Sequence, residues 1–418
     1  MLIRQGFSFK LKPTGAQARL MSRFAGCARW VYNEGLSWNE RERKNNPDFH
    51  LSYASLCGEL LVWKNKNPWL KEAHSQVLQQ SLKDLMSGFD RFFKGLGAFP
   101  KKHKKFASTD SFRFPQGFKL NEAAKELYLP CIGWVKYRRS RFIVGKPKNL
   151  TVRRQADGWH VSVQTEREID EPLHPDHGAV GIDMGCVRLC TLSDGTYFES
   201  NDALKSHLKK LAQMQRKLSR MQKFGKNWKK QKHAIAKVHL KIANIRRDTI
   251  EKVALKICQN HAIIVREDLQ IRNMTRSAKG TLEEPGKHVK QKSALNRSIL
   301  DQGWGIFFSK LEWKAKRLGG TIIKVAPQNT SRECPKCHHV DKNNRKTQAN
   351  FSCVRCGYRG NADEIAARNI LERGQRLIAC GEFGNTARTQ VNPKQSKFFG
   401  LCLGQQQESN EELTGICR

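Results

Sequence analysis

The sequence contains no long apolar run. No stretch reaches the roughly 18 consecutive apolar residues that a membrane-spanning helix needs. The opening residues, MLIRQGFSFKLKP, also lack the apolar segment of a signal peptide. These two absences argue against a membrane span and against export. We therefore expect a cytoplasmic protein without a membrane partner.

Acidic residues are scarce. The chain of 418 residues has 38 Asp and Glu against 76 Lys and Arg, which gives a formal net charge of +38. Such an excess costs self-repulsion unless a polyanion binds, and each phosphate that a Lys or Arg neutralises releases counterions. Nucleic acid is thus the expected partner. The alternative, a merely basic soluble protein or a membrane-surface binder, is disfavoured because neither terminus carries a long basic amphipathic segment.

One segment has no acidic residue at all. Between Lys205 and Arg247 there are 15 Lys and Arg and no Asp or Glu. Apolar residues at helical spacing predict two helices here, separated by Gly225, so we expect a helical hairpin. A solvated face is the ordinary explanation of a charge run, but one this long favours contact with a phosphate backbone. The candidate contacts are Lys209, Lys210, Lys229 and Lys230.

Residues 15–97 have the pattern of helices. The apolar side chains of one helix recur on a single face: Leu78, Leu82, Leu85 and Phe89. Ser75 is the candidate N-cap of that helix. Its opposite face carries Gln76, Gln80 and Lys83. This polar face is either solvated or in contact with a nucleic-acid duplex.

A basic segment with interleaved aromatic residues follows, FPKKHKKFASTDSFRF at residues 99–114. Lysines can follow phosphates while aromatic rings stack on bases. The candidate phosphate contacts are Lys101, Lys102, Lys104 and Lys105, and the aromatic residues are Phe99, Phe106, Phe112 and Phe114. A basic loop whose rings belong to the core is an equally good explanation.

Strands are expected at both ends of this helical region. The alternating apolar residues of the N-terminus predict a strand that stops at Pro13. Residues 125–165 contain further strands, and the clearest pair is TVRRQ and WHVSV around the Asp157-Gly158 turn. The sequence therefore predicts a small β-domain that the helices interrupt.

Two CxxC pairs predict a zinc site. CPKC at 334–337 and CVRC at 353–356 are separated by 15 residues, and the other nine cysteines are scattered. Thiolate pairs at this distance can close a tetrahedral cage around Zn²⁺. The expected ligands are Cys334, Cys337, Cys353 and Cys356. Four thiolates leave no open coordination position, so a structural role is expected rather than a redox one.

Three acidic residues stand where strands or a helix begin or end. Asp183 lies in the apolar strand AVGIDMG, Glu267 ends the apolar strand HAIIVREDL, and Asp363 begins the helical segment NADEIAARNIL. An Asp in an apolar strand is costly to bury without a partner or a metal. Taken singly, Asp183 is explained as a turn residue, Glu267 as a strand-end charge and Asp363 as an N-cap. Asp268 competes with Glu267, but one strand step points it to the other face.

The order of these elements favours an RNase H-like fold. A strand with Asp183 and a hairpin come first, followed by long helices, the strand with Glu267, a helix, the strand TIIKVAP and a helix with Asp363. Three converging carboxylates suit Mg²⁺ or Mn²⁺. Two such ions can promote in-line cleavage of a phosphodiester. The sequence thus predicts a catalytic triad of Asp183, Glu267 and Asp363.

The ordered set of motifs resembles the TnpB (OrfB) family of insertion sequences, which is related to type V CRISPR effectors. The resemblance is carried by GIDMG, VREDL, the CPKC…CVRC ribbon and NADEIAARNIL, together with GCARWVYNEGL, SLKDLMSGFDRFFKG, LNRSILDQGWGIFFSKLEWKAKRLGG and VAPQNTSRECPKC. It extends to about residue 380. The sequence departs from the family pattern at Ile365, where Asn is expected.

This resemblance implies a fold class and a domain organisation. The fold is a multidomain α+β one: an RNase H-like (RuvC) nuclease domain with an inserted zinc ribbon, and a split β-barrel-like wedge domain with an inserted helical recognition domain. The expected segments are 1–14 and 109–176 (wedge), 15–108 (recognition), 177–329 and 361–379 (nuclease), 330–360 (ribbon) and 380–418 (tail). The tail is rich in Gly, Gln, Asn and Ser and shows no periodicity, so disorder is expected there.

The resemblance also implies a function. A family member binds a guide RNA from the end of its own element, recognises a short motif in double-stranded DNA, and cuts beside it with one RuvC site. The triad then binds Mg²⁺ or Mn²⁺, the four cysteines bind Zn²⁺, and helices with Gln76, Gln80 and Lys83 help to read the motif. One protein per RNA and a place at the bacterial or archaeal nucleoid are expected. The alternatives are a non-cleaving regulator of transposition or transcription and a guide-free RuvC-like nuclease.

Overall fold

The computed structural model describes residues 1–105 and 110–380, which form two compact units. One unit is Met1–Asp170 and the other begins at Glu171. Among the described residues, no helix is both long and apolar enough to cross a membrane. The predictions for Phe106 and for the tail beyond Cys380 lie outside the described residues.

The first unit is built on one antiparallel sheet of seven strands. The strands are Leu2–Lys12 (β1), Ser111–Phe114 (β2), Lys119–Asn121 (β3), Glu126–Leu129 (β4), Gly133–Arg138 (β5), Lys146–Gln155 (β6) and Gly158–Glu168 (β7). Their order in the sheet is β2-β6-β7-β1-β5-β4-β3. The predicted hairpin around Asp157-Gly158 is confirmed as β6 and β7, since Gln155 pairs with Gly158.

Three helices lie between β1 and β2 in the chain. They are Gly15–Asn45 (α1), Tyr53–Lys66 (α2) and Ser75–Phe93 (α3), with a 3₁₀ helix at Pro68–Glu72. Pro13 follows β1 directly, and Thr14 then begins α1 with a capping box that pairs its side chain with the backbone of Gln17. Pro13 ends the strand and Thr14 caps the helix, which explains why only two residues separate β1 from α1.

Helix α3 buries the face that its spacing predicts. Its buried side chains include Leu78, Leu82, Leu85 and Phe89, and Ser81 donates its hydroxyl to Ala28 O of α1 at 2.5 Å. The predicted N-cap is wrong: His74 occupies that position without a side-chain cap, and Ser75 is the first helical residue. The Ser75 hydroxyl instead accepts a hydrogen bond from Lys64 Nζ at 2.8 Å.

The second unit contains a mixed five-stranded sheet and a small two-stranded ribbon. The sheet strands are Ala179–Met184 (β8), Arg188–Leu192 (β9), Tyr197–Glu199 (β10), Ile263–Glu267 (β11) and Thr321–Val325 (β12), in the order β10-β9-β8-β11-β12. Strands β8, β11 and β12 are parallel neighbours, and β9 and β10 are antiparallel. The ribbon strands are Asn350–Ser352 (β13) and Arg359–Asn361 (β14).

Six helices accompany these strands. They are Leu208–Ser219 (α4), Lys226–Asn260 (α5), Ile271–Met274 (α6), Val289–Gln302 (α7), Trp304–Leu318 (α8) and Ala362–Ala379 (α9), with 3₁₀ helices at Lys205–His207 and Lys342–Asn344. The predicted helical hairpin is confirmed as α4 and α5, with Gly225 at the N-cap of α5. Leu211, Ile235 and Ile242 form its own small core.

The sheet of the second unit is covered on both faces. Val180 and Ile182 of β8 pack in one core with Ile250 of α5 and with side chains of α8. Val265 of β11 belongs to a separate core with Ile370 of α9. Because strand side chains alternate between faces, odd-numbered residues of β8 and β11 lie on the α9 side of the sheet.

Candidate active site and metal centre

The register of two parallel strands brings Asp183 and Glu267 to the same place. Strands β8 and β11 pair Val265 with Gly181 and Arg266 with Ile182, and the next step aligns Glu267 with Asp183. Side chains at paired positions of parallel strands emerge on one face. Asp183 and Glu267 therefore share the α9 face, and Asp268 points away from it. This geometry favours Glu267 over Asp268 as the partner of Asp183, and the catalytic role of Glu267 stays a prediction.

Two glycines let α9 lie directly on these strands. A Cβ at Gly181 would overlap the carbonyl oxygen of Ala367 and lie 2.8 Å from Leu371 N. A Cβ at Gly374 would lie 2.5 Å from Cγ1 of Val265. Because Asp363 is one helical turn before Ala367, this contact brings the start of α9 to the ends of β8 and β11. The third carboxylate is thereby positioned by packing.

Asp363 is not a helix cap. The N-cap of α9 is Asn361, whose Oδ1 accepts hydrogen bonds from Asp363 N at 3.0 Å and Glu364 N at 3.3 Å. The Asp363 carboxylate is free of the capping role that a sequence reading could assign to it. Its Oδ1 instead accepts a hydrogen bond from Arg345 Nη2 at 2.8 Å.

The three carboxylates interact electrostatically. Burial raises the pKa of Asp183 well above its ordinary value, and the charges of Glu267 and Asp363 raise it further, against the opposing effect of Arg345. Burial also raises the pKa of Glu267, while the Thr330 hydrogen bond and the Arg373 charge oppose that rise. Like charges held together in this way favour binding of a cation. The donor set, three carboxylates, fits a hard divalent ion.

The three carboxylates are near one another, but their oxygen atoms are farther apart than the ligands of one shared metal ion would be. In the part of the chain that the structure describes, the four cysteines alone form a group of three or more Cys, His, Asp or Glu side chains with ligand atoms all within 4.8 Å. The carboxylate cluster lies outside that limit, and Arg345 bonds to one of its members. Arg345 lies among the polar residues of the ribbon loop, and its contact with the acids was not predicted from the sequence.

Glu267 is held by a short hydrogen-bond network. Thr330 Oγ1 donates to Glu267 Oε1 at 2.5 Å. Asn369 of α9, which is buried, donates to Thr330 O and Glu333 O, each at 2.8 Å. Arg373 donates to Ala326 O, to Gln328 O at 2.6 Å and to Glu333 Oε2 at 2.7 Å. This network fixes the segment that follows β12 against α9.

The roles of Thr330, Asn369 and Arg373 were not recognised from the sequence. Thr330 lies in the segment VAPQNTSRECPKC, and the other two lie in and after NADEIAARNIL. The available signal was that Asn369 and Arg373 stand four positions apart, one helical turn, on a helix that carries several other polar residues. Single-sequence reasoning does not tell such residues from a solvated face.

The four cysteines form the predicted cluster. Cys334 Sγ lies 3.5 Å from Cys356 Sγ, and Cys337 Sγ lies 3.6 Å from Cys353 Sγ. Tetrahedral Zn–S bonds of about 2.3 Å correspond to S···S separations of about 3.8 Å. The arrangement thus fits Zn²⁺ with no open position for a substrate.

Buried Asn344 joins the two halves of this ribbon. Its Nδ2 donates to Arg332 O at 2.8 Å and to His339 O at 3.0 Å, while its Oδ1 accepts from Val354 N at 2.9 Å. Ile365, at the position that departs from the family pattern, is buried with Phe351 in the ribbon core. Since β14 runs directly into α9, the ribbon and Asp363 are mechanically linked.

The predicted nucleic-acid contacts in the first unit have different surroundings. Gln80 lines a polar cavity of about 350 Å³ together with Arg29, Asp84 and Arg153. Gln76 Oε1 is buried, and no hydrogen-bond partner for it lies among the described residues. Lys83 Nζ lies over the Tyr53 ring, 5.2 Å from its centroid. The exposed lysines of the basic loop are Lys101, Lys102, Lys104 and Lys105.

The predicted contacts in the second unit are uniformly exposed. They are Lys209 and Lys210 on α4 and Lys229 and Lys230 on α5. The residue-level nucleic-acid contacts in both units stay predictions, because exposure and charge are compatible with solvation.

Comparison with known proteins identifies relatives of the whole chain. Residues 160–278 match the family model OrfB_IS605, "Probable transposase", residues 304–370 match "Cas12f1-like, TNB domain", and residues 1–47 match a helix-turn-helix domain of OrfB_IS605. An Escherichia coli K12 protein described as "Putative RNA-guided DNA endonuclease InsQ" is 46% identical over 387 residues, which cover 92% of this chain and 96% of that protein.

Two further matches are more distant. A Streptomyces pristinaespiralis protein described as "Putative RNA-guided DNA endonuclease" is 29% identical over 397 residues, which cover 91% of this chain and 92% of that protein. A cryo-EM structure of a Cas12f1–sgRNA–target DNA complex covers 88% of this chain and 99% of its own at 18% identity, with a TM-score of 0.33. That structural similarity is too low to carry an argument.

Proposed function

The chain belongs to the TnpB (OrfB) family of insertion-sequence proteins, which is related to type V CRISPR effectors, and from this membership we propose that it is an RNA-guided DNA endonuclease. It would use a guide RNA from the end of its element and cut double-stranded DNA beside a short flanking motif. One protein would assemble with one RNA and act at the nucleoid. The near-complete coverage of the E. coli relative supports extending that relative's described activity to this chain.

The observation that carries the proposal is the convergence of three carboxylates from β8, β11 and α9. Burial, and then repulsion by Glu267 and Asp363, raise the pKa of Asp183. Both effects are unfavourable for the fold alone, and perturbed carboxylates of this kind are concentrated at functional sites. Parallel strands with carboxylates at their ends and a helical carboxylate support the RNase H-like (RuvC) assignment. The antiparallel sheet with its helical insertion supports the wedge and recognition assignment.

Asp183, Glu267 and Asp363 would hold Mg²⁺ or Mn²⁺. When bound, such ions neutralise the carboxylates and stabilise the charge that develops on a phosphodiester during in-line cleavage. The Thr330 hydroxyl and the Asn369 amide orient Glu267 for this task. The Arg345 guanidinium, which bonds to Asp363 in this structure, would donate hydrogen bonds to an anionic phosphate once an ion replaced it at Asp363.

The remaining surface supports nucleic-acid partners. The net charge of +38 and the acid-free segment 205–247 suit a phosphate backbone. In the first unit, Gln80 and the arginines of its cavity offer hydrogen-bond donors and acceptors of the kind that read base edges. The four-cysteine ribbon would hold Zn²⁺ and act structurally, because it has no open ligand position.

The deciding experiment compares neutral variants of two acidic residues that are adjacent in the chain, Glu267 at the end of β11 and Asp268 directly after it. The full chain is co-expressed with the DNA that flanks its gene, and the bound RNA is sequenced. Cleavage is then measured with Mg²⁺ on a plasmid library that carries a guide-matched target beside randomised flanks. Glu267→Gln and Asp183→Asn should lower cleavage on the order of 10³-fold or more, while Asp268→Asn, on the opposite face, should leave it near the parent level.

Three results separate the alternatives. Cleavage redirected by a new guide sequence supports the proposed function. Specific bound RNA with no cleavage by the parent chain would favour a regulator of transposition or transcription. Equal loss in Asp268→Asn and Glu267→Gln would refute the assignment of the site.

A further inference from the structure

The tip of the α4–α5 hairpin holds an aromatic residue in an unusual position. Phe224 has φ of +67°, in the left-handed region that residues other than Gly, Asn and Asp rarely adopt. Its side chain is 66% exposed. The turn itself is closed by a hydrogen bond from Gly225 N to Gln222 O. The chain thus holds an apolar ring in solvent, at a backbone position where a glycine or asparagine would be less strained.

The hairpin core does not account for this ring. The apolar side chains that join α4 and α5 centre on Leu211, Ile235 and Ile242, and Phe224 belongs to none of the buried clusters of the described chain. Its aromatic neighbour is Trp228, one turn into α5, with ring centroids 5.5 Å apart and an interplanar angle of 51°. The two rings therefore form a surface feature at the tip of the hairpin and do not contribute to its core.

The segment 205–247, which holds these rings, contains no Asp or Glu. Lys232 Nζ lies over the Trp228 ring, 5.0 Å from its centroid. Further exposed lysines surround the tip: Lys223, Lys226, Lys229 and Lys230. Within residues 1–105 and 110–380, none of these five lysines forms an ion pair. The exposed Phe224 ring and the half-buried Trp228 ring among these lysines match the surface that binds single-stranded nucleic acid through base stacking and phosphate contacts.

We propose that Phe224 and Trp228 form a stacking platform for an unpaired base of the guide RNA, with the surrounding lysines on the adjacent phosphates. The inference rests on the proposed function for the existence of a bound RNA. Unpaired bases in loops and ends are what proteins recognise in RNA by aromatic stacking, whereas the bases of an intact target duplex are already stacked. The platform selects for an exposed base and is tolerant of its identity, because every base has a π face.

The test uses the full chain carrying Asp183→Asn, so that nucleic acid is bound without being cut. The probe is a fluorescein-labelled polyuridine RNA of about 20 nucleotides, a length that exceeds a typical single-strand site, titrated over a series of salt concentrations. Phe224→Asn is the key variant, because Asn tolerates the left-handed backbone and lacks the ring. Phe224→Tyr keeps the ring and is the matched control.

If the platform exists, removal of the Phe224 ring should lower the affinity for RNA and leave the protein folded. Phe224→Asn should weaken RNA binding by roughly 5- to 100-fold, with an unchanged slope of log K against log [salt] because the lysines remain. Its thermal stability should equal or exceed that of the parent, and Phe224→Tyr should bind like the parent. Replacing Lys223, Lys226, Lys229 and Lys230 with Ala should instead flatten the salt slope.

Two outcomes would overturn the inference, and they differ from failure of the proposed function. If Phe224→Asn binds RNA like the Asp183→Asn parent, while the chain with Asp183 intact still cleaves guided targets, the platform is refuted and the proposed function stands. If ultraviolet cross-linking in cells joins this tip to DNA and not to RNA, the assignment to guide RNA is wrong. A parent chain that binds no RNA would refute both.

Discussion

Arg345 and Asp363 are joined by a hydrogen bond of 2.8 Å from Nη2 to Oδ1. Arg345 belongs to the ribbon loop and Asp363 to the first turn of α9, so the bond ties the zinc ribbon to the carboxylate cluster. It also supplies the positive charge that opposes the raised pKa of Asp183. Any divalent ion at Asp363 has to compete with this guanidinium.

Replacing Arg345 should affect Mg²⁺ binding and DNA cleavage in opposite directions. In Arg345→Ala, Mg²⁺ should stabilise the protein at lower concentrations, because the competitor for Asp363 is gone. Cleavage should fall by about 10- to 1000-fold, as for removal of a positioned donor to a developing charge. Thermal unfolding against Mg²⁺ concentration gives the first quantity and single-turnover cleavage the second. An unchanged Mg²⁺ dependence would show that the ion pair does not compete.

The hydroxyl of Thr330 should matter for orienting Glu267. Thr330→Val is close to isosteric and removes the donor of the 2.5 Å hydrogen bond, so cleavage should fall about 10- to 100-fold, the usual cost of losing a residue that orients a metal ligand. Thr330→Ser keeps the hydroxyl and should recover most of the activity. Cleavage rates of the two variants at saturating Mg²⁺ make the comparison, and equal rates would contradict the assigned role.

The raised pKa of Asp183 makes the stability of the ion-free protein depend on pH. A carboxyl whose folded pKa lies above its unfolded value binds its proton more tightly in the fold, so the free energy of unfolding falls as pH rises from about 4 through the raised pKa. Added Mg²⁺ binds the ionised carboxylates and should therefore stabilise more at about pH 8 than at about pH 5.

The control for this pH effect is the neutral variant. Asp183→Asn should raise the ion-free stability near pH 8 by on the order of 1 kcal/mol and should abolish most of the Mg²⁺ effect, while Asp268→Asn should alter neither. Thermal unfolding at the two pH values, with and without Mg²⁺, measures both. A Mg²⁺ effect that is larger at the lower pH would refute the linkage.

The ribbon cysteines should control zinc content and, through β14, the position of Asp363. Cys334→Ser should lower zinc from about one ion per chain towards zero, since a thiolate ligand is lost, and cleavage should fall with it. Cys380→Ser, an exposed cysteine at the end of α9, should change neither. Metal analysis of purified protein checks this, and full zinc content in Cys334→Ser would refute the ligand assignment.

The contact between β8 and α9 should tolerate no side chain at Gly181. Gly181→Ala would place its Cβ against the Ala367 carbonyl, so we expect about 1–3 kcal/mol of destabilisation and a loss of cleavage as Asp363 moves away. Gly305→Ala in α8 meets only an ordinary contact of 3.7 Å and should stabilise by about 0.5–1 kcal/mol. Urea unfolding compares the two, and a harmless Gly181→Ala would disprove the close approach.

Local sequence patterns were enough to predict the helices, strands and turns, and to identify which side chains carry the chemistry of the site. The spacing of Leu78, Leu82 and Leu85, the turn at Asp157-Gly158 and the hairpin break at Gly225 each depend on neighbours within a few residues. The two CxxC pairs specify a thiolate cluster by themselves because each pair closes locally. The predicted N-cap at Ser75 is wrong: Ser75 is the first helical residue of α3, and its hydroxyl accepts a hydrogen bond from Lys64, 11 positions away.

The sequence by itself determined that this protein has a basic surface, a four-cysteine ribbon and three acids at the ends of strands or the start of a helix. Only the tertiary structure decided that Glu267 and not Asp268 faces Asp183, because that depends on the register of β8 and β11. It also decided that Asn361 caps α9 and that Arg345 meets Asp363. The longest of these relations joins Asp183 and Glu267, which are 84 positions apart. Burial and packing fix these relations, and no local pattern records them.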